Sequence, residues 1–203
     1  MLLHRTIVSI VAVVLIVFIY NLPKVVVDND STETGVGSER IEVSHNFEIN
    51  TLDSLKIANL FNKISYSENN KKNAIFADSL ANLYLAYNKL DSAEKYAEYI
   101  LSQGEEVINY QLAGDIFFKA YGFSKEESEV SRLGESAGNC FKKVLEVDPD
   151  NPDVMAKLAM TLVSTASPMQ GIMMLREVLE KYPENETALY NLGILSMQSR
   201  QYD

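Results

Sequence analysis

Residues 148–193 read DPDNPDVMAKLAMTLVSTASPMQGIMMLREVLEKYPENETALYNLG, and this stretch falls back into step with itself after 34 residues. Pro149 and Pro183 are 34 apart, and so are Leu158 and Leu192, and Ala159 and Gly193. Thirteen residues after Leu158 comes a small residue, Gly171, followed by Leu175, Val178, Leu179 and then Pro183. Apolar positions spaced by three and four are the signature of a helix buried on one face, and proline punctuates helix ends. A unit of this length accommodates two helices and a turn, so the stretch predicts stacked helical hairpins.

The frame extends in both directions. Upstream, Leu80-Ala81-x-x-Tyr84 is followed thirteen residues after Leu80 by Ala93, then by Ala97 and Ile100. Between the two units, Leu112-Ala113-x-x-Ile116 opens another, closed by Ala137, Phe141, Val144, Leu145 and Pro149. There the distance from Leu to small residue is 25 instead of 13, which places twelve inserted residues between the paired helices. Downstream, Tyr190-Asn191-Leu192-Gly193 begins a fourth unit, and Arg200-Gln201-Tyr202-Asp203 fits the turn that follows. The second helix of that unit is missing, so the sequence is expected to be incomplete, with residues 186–203 fraying or docking elsewhere. Small residues at Ala81, Ala93, Ala113, Ala137, Ala159, Gly171 and Gly193 let paired helices approach closely, while larger apolar residues fill the space between units.

This pattern resembles the tetratricopeptide repeat (TPR), a helix-turn-helix unit of 34 residues with an L-G-x2-Y, A-x3-F, P signature. The resemblance covers residues 74–203, lacks the family's aromatic first anchor, and lacks the proline in the first unit. It implies an all-α fold, a right-handed superhelix of stacked antiparallel helix pairs. The units are 74–105, 106–151 with the insertion, 152–185, and a truncated 186–203. Ahead of them, residues 49–73 carry Leu52, Leu55, Ala58, Phe61 and Ile64 at helical spacing behind Thr51, an expected N-cap, and read as a capping helix or half-repeat. Within the insertion, Ser124-Lys125-Glu126-Glu127 has the form of a capping box, and one long helix is expected over 125–147.

In the family the first helix of each pair lines a concave groove that binds a protein or peptide. Carrying the groove positions over by register, the resemblance implies Ile75, Asp78, Asn82, Leu85 and Ala86 in the first unit, and Val107, Tyr110, Gly114, Phe117 and Phe118 in the second. The third contributes Asp153, Ala156, Met160, Val163 and Ser164, and the fourth Thr187, Tyr190, Ile194, Met197 and Gln198. A subgroup grips acidic peptide C-termini with Lys, Asn and Arg at such positions; those residues are not in place here. The expected groove is instead aromatic and methionine-rich: Tyr110, Phe117, Phe118, Met160, Val163, Tyr190, Ile194 and Met197.

Composition narrows the function. A net charge of −10, with no basic run longer than Lys71-Lys72 or Lys142-Lys143, argues against nucleic acid as a main partner. A single cysteine, Cys140, excludes an internal disulfide and a cysteine metal cluster, and its place on an apolar stripe predicts a buried, inert thiol. Gly134-Glu135-Ser136-Ala137-Gly138 spells the nucleophile-elbow pattern, but no strand precedes it and both histidines, His4 and His45, lie upstream. The acidic run from Asp148 to Asp153 lacks the spacing of a calcium loop and matches an inter-unit turn. No enzyme activity, cofactor or metal is expected.

Residues 6–23 contain no charge, and Ile7 to Tyr20 is apolar except for Ser9. As a helix this segment would span ~27 Å, close to the ~30 Å of a bilayer core. The residues after it, from Tyr20 to Val27, offer no small-residue cleavage site, which predicts an uncleaved signal-anchor. His4, Arg5 and the terminal amine against Asp28, Asp30 and Glu33 place residues 1–5 in the cytoplasm and the remainder across the membrane. Residues 24–48 are mostly polar, include Gly35 and Gly37, and read as a flexible linker. The layout resembles that of membrane-anchored TPR proteins of Gram-negative bacteria, which implies a periplasmic domain on the inner membrane. It implies a protein-interaction scaffold. The alternative is an assembly or maturation factor holding client proteins, similar to TPR subunits of cytochrome c biogenesis.

Overall fold

The computed structural model describes residues 48–165 and 167–199, and among them it is all helical, with eight helices and no strand. In chain order they are α1 (Thr51–Tyr66), α2 (Asn70–Ala86), α3 (Leu90–Ser102), α4 (Val107–Phe123), α5 (Glu127–Val147), α6 (Pro152–Val163), α7 (Pro168–Lys181) and α8 (Glu186–Ser199). Consecutive helices are joined by three or four residues, which leaves room only for an antiparallel return. The expected anchor at 6–23, all of the 24–48 linker but Glu48, both histidines and residues 200–203 lie outside the described residues. Among the described residues no helix is long and apolar enough to cross a membrane.

Asparagine starts half of these helices. Asn50, Asn69, Asn151 and Asn185 each accept a hydrogen bond from the backbone N–H three residues on, at 2.8, 3.0, 3.2 and 2.8 Å. Such a cap satisfies an otherwise orphaned donor and contributes about 1 kcal/mol. Asn151 and Asn185 are 34 apart, so the repeat seen in the sequence recurs in local structure. Two expected caps are not formed. Thr51 is the first helical residue of α1, because Asn50 ahead of it takes the capping position. Ser124 terminates α4 by donating its N–H to the Ala120 carbonyl, and α5 starts behind Glu126 with no side-chain cap. The connection is too short for Ser124 to serve both helices, and the capping box is lost.

Packing follows chain order. α2 lies against α3 and α4, α4 against α5, α5 against α6, α6 against α7, and α8 against both α6 and α7. α1 packs on α2. Alanines make the close contacts: Ala77 and Ala81 of α2, Ala93 and Ala97 of α3, Ala113 of α4 and Ala137 of α5 are fully buried. Gaps between them are filled by Ile100, Ile116, Leu133 and Phe141, also buried. Close approach is tightest where glycine is used. A Cβ at Gly114 would sit 2.9 Å from a ring carbon of Phe141, and one at Gly171 would run into the Ala159 carbonyl oxygen.

The core falls into two clusters. Residues from α2 through α6 form the first; Ala156, Ala159, Met160, Leu175, Val178 and Ala188 form the second. Phe118 and Met174 pack against both. The insertion is absorbed by length, since α4 has 17 residues and α5 has 21, against 12 for α6 and 14 for α7. The added turns of α5 are anchored backward: Arg132 holds both carboxylate oxygens of Glu94 on α3 and also Glu129 at 2.6 Å.

α1 departs from expectation in which side it buries. Leu52, Leu55, Ala58 and Phe61 are exposed, and the half-buried positions are Asp53, Ile57, Leu60 and Ile64. Its N-terminus is fastened by a polar knot, in which the Tyr87 hydroxyl donates to Asp53 at 2.6 Å and accepts from Asn50 at 2.7 Å. Lys56, Tyr87 and Asn50 together hold the Asp53 carboxyl below its ordinary value.

Candidate functional site

The residues of the expected groove separate into three groups. Phe117 and Met160 are buried, 4% and 8% exposed, and belong to the first and second core clusters. Tyr110, Phe118 and Val163 are half-buried. Phe118 stacks on Tyr121 with centroids 5.7 Å apart and meets Phe141 edge-on at 5.9 Å, so its ring is held by neighbours on its own hairpin. Val163 covers Gly171 of α7. On α8, Tyr190 and Met197 are 69% and 61% exposed, while Ile194 is half-buried. These eight side chains therefore do not form one apolar surface.

What links the first helices of successive pairs is polar. Lys119 of α4 donates to Asn82 of α2 at 2.7 Å, and the Asn82 amide donates to the Asp78 carboxylate at 2.9 Å. One step along, Lys157 of α6 pairs with Asp115 of α4 at 2.7 Å, and Gln111 donates to the other Asp115 oxygen at 3.0 Å. At the last step, Asp153 of α6 accepts from Asn185 at 2.8 Å and from Thr187 of α8 at 3.0 Å. The three links join α2, α4, α6 and α8 in turn. Burial pushes the Asp78 carboxyl above its ordinary value, Lys119 opposes that shift, and Asp115 adds to it.

Asp78, Asn82, Asp153 and Thr187 of this ladder were among the sequence-derived groove positions; Gln111, Asp115, Lys119 and Lys157 were not. Their contacts span 37 residues for Asn82–Lys119 and 42 for Asp115–Lys157, not 34. A register argument built on 34 steps over them. The available signal was opposite charge on successive first helices, Asp78 against Lys119 and Asp115 against Lys157.

Among the described residues no arrangement of nucleophile, base and acid meets at one point. Ser136 lies inside α5, with no strand-to-helix turn to expose it. Its flanking glycines serve contact: a Cβ at Gly138 would lie 2.9 Å from the Thr161 hydroxyl, and one at Gly134 would lie 3.5 Å from the Tyr121 ring. Cys140 is buried, and burial pushes its thiol up to about 11, which leaves it protonated and inert. A cleft of about 580 Å³ between α5 and α6 is lined by Ser131, Glu135, Lys142, Thr161 and Ser164, among others. Its inner hydroxyls are engaged, Thr161 with the Leu158 carbonyl at 2.7 Å and Ser164 with Tyr121. The acidic turn is likewise occupied: Asp148 accepts from Asn151 at 2.9 Å and Asp150 pairs with Lys181 at 2.5 Å. Among the described residues no group of three or more His, Cys, Asp or Glu could hold a metal ion.

Comparison with known protein families and with curated proteins finds no match for this chain.

Proposed function

We propose that this chain is a tetratricopeptide-type scaffold, held at a membrane by residues 6–23, whose row of first helices binds a protein or peptide partner on the non-cytoplasmic side. The observation that carries the reading is the polar ladder. Side chains on α2, α4, α6 and α8 reach from each first helix to the next, so these helices form one continuous row. The large apolar side chains pack within and between the hairpins, and the row presents charge and hydrogen-bonding groups with a few aromatic edges. Such a surface suits an extended polypeptide, whose backbone amides and side chains can meet Asp78, Asn82, Lys119 and Tyr110. Electrostatic complementarity of this kind contributes specificity more than raw affinity. Binding, rather than chemistry, is what the residues support.

The test is co-purification. Full-length protein is crosslinked in its native membrane and purified with what it holds, in parallel with Lys119→Glu and Tyr110→Ala variants. Lys119→Glu places a third carboxylate beside Asp78 and Asp115 and is expected to cut capture at least tenfold, a loss of about 1.4 kcal/mol. Circular dichroism and the thermal midpoint report folding separately. Undiminished capture by both folded variants removes the row of first helices as the binding surface.

A further inference from the structure

The cleft between α5 and α6 owes its depth to the length of α5. Gly134 stands level with Thr161, since a Cβ there would lie 4.0 Å from the Thr161 carbonyl oxygen. From that level α5 runs seven residues back to Glu127, about 10 Å of helix, whereas α6 ends two residues on at Val163. One turn deeper, a Cβ at Gly138 would strike the Thr161 hydroxyl and lie 3.6 Å from a Leu158 methyl, so the two helices close the floor. The volume of about 580 Å³ is that of a ligand site.

The two walls differ in chemistry. α5 supplies Glu127, Ser131, Glu135 and Asn139 at steps of four, and then Lys142, all of them exposed. None of these five side chains makes a hydrogen bond or an ion pair among the described residues. α6 supplies Leu158 and Leu162, also one turn apart. Spacing decides what fits between them. A step of four along a helix rises ~6 Å, and two residues of an extended chain advance ~6.6 Å. Alternate side chains of a strand laid along α5 therefore meet its polar groups in turn, while the intervening ones face the two leucines. From Glu127 to Lys142 is ~22 Å, which about seven extended residues cover. A helix of that length, ~10 Å across, would need roughly three times the volume.

Charge selects the sequence of the strand. Glu127 and Glu135 stand toward one end and Lys142 at the other. The chain's own residues 24–48 carry six carboxylates against Lys24 and Arg40, the wrong sign for the Glu127–Glu135 end. We propose that this cleft takes an extended segment of a partner protein, about seven residues long, in which apolar and polar residues alternate. Two of the polar positions, four apart, are Lys or Arg, and the next polar position is acidic and meets Lys142. The site is separate from the row of first helices and does not rest on that reading.

The experiment titrates the full chain in detergent with a fluorescent peptide, Lys-Val-Ser-Val-Lys-Val-Asp, and reads anisotropy. Saturable binding is expected, weakened at least tenfold by Glu135→Lys and by Glu127→Lys. The peptide carrying Glu in place of its second Lys is expected to recover binding to the Glu135→Lys variant, which a misfolded protein could not do. No saturable binding to the unaltered chain, no loss in either variant, or no recovery by the exchanged peptide would overturn the proposal. Lys119→Glu and Tyr110→Ala are expected to leave this binding unchanged; a loss there would move the peptide to the row of first helices and remove the cleft as its site. A photoreactive group on Ser131→Cys, with the buried Cys140 kept, is expected to crosslink the peptide. A crosslink to residues 24–48 or to a second copy in its place would identify another occupant and sink the idea.

Discussion

The α6–α7 hairpin and α8 carry the same register, yet one is core and the other is largely surface. Six residues of α6 are buried, Val154, Ala156, Leu158, Ala159, Met160 and Thr161, whereas among the described side chains of α8 the buried ones are Ala188 and Asn191. Val154 and Ala188 are 34 apart and both buried, because each faces the preceding hairpin. Ala159 and Gly193 are also 34 apart, and only Ala159 is covered. In a stacked array the sequence of a helix determines what it can bury, and the presence of a neighbour determines what it does bury.

The largest effect that probes this comparison comes from two aromatic residues assigned to one groove. Phe117→Ala removes a buried ring from the first cluster and is expected to cost about 3–5 kcal/mol. Tyr190→Ala, at an exposed position, is expected to stay within about 0.5 kcal/mol. Urea unfolding of both variants checks the contrast, and similar losses would show that the α8 face is covered in solution. Next in size is a pair of glycines. Gly171→Ala forces the new methyl against the Ala159 backbone, which cannot move aside as a flexible side chain could, and about 3 kcal/mol of destabilisation is expected. Gly193→Ala meets open space in a helix and is expected to stabilise by about 0.5–1 kcal/mol through helix propensity. Opposite signs at these two glycines, one pressed against a neighbouring helix and one facing open space, would sharpen the comparison in thermal unfolding; equal signs would break it.

The smallest expected effect concerns pH. Burial raises the Asp78 carboxyl above 3.8, so the folded state holds its proton more tightly than the unfolded state does. Below the unfolded value both states are protonated, and as pH rises through the folded value the buried charge costs stability. Asp78→Asn is therefore expected to raise the thermal midpoint at neutral pH and to leave it unchanged at a pH well under 3.8. Lys119 partly screens the charge, which keeps the difference small. A variant that is less stable at neutral pH would mean that the charged carboxylate stabilises the link to Asn82 and Lys119.

Helical hairpins were legible because their determinants are local. The 34-residue step placed α6 and α8 in the same register, and the apolar stripe through Val130, Leu133, Ala137, Cys140 or Phe141, and Val144 marked the buried side of α5, with Val130 at its half-buried edge. The long helix expected over 125–147 appears as Glu127–Val147, shortened because the turn after α4 uses Ser124. α1 was misjudged for a physical reason. Its sequence carries two stripes that share Ile64, the expected one through Leu52, Leu55, Ala58, Phe61 and Ile64 and another through Asp53, Ile57, Leu60 and Ile64; of the expected stripe only Ile64 packs against the core. Periodicity alone favours the more apolar, while α2 covers the other. The polar ladder was harder still to foresee. Lys119 and Lys157 meet Asn82 and Asp115 only through the rotation of whole helices, a quantity that no spacing within one helix contains.

α6 has only 12 residues, and both of its sides are occupied: Val154 and Leu158 belong to the first cluster, Ala156, Ala159 and Met160 to the second. It works as a keystone. Fraying α6 strips cover from α5 on one side and from α7 and α8 on the other, so the two stretches share a single cooperative unit through it. Phe118 and Met174 pack against the same two clusters, so a disturbance at one end of the row is expected to reach the other through α6 together with these two side chains.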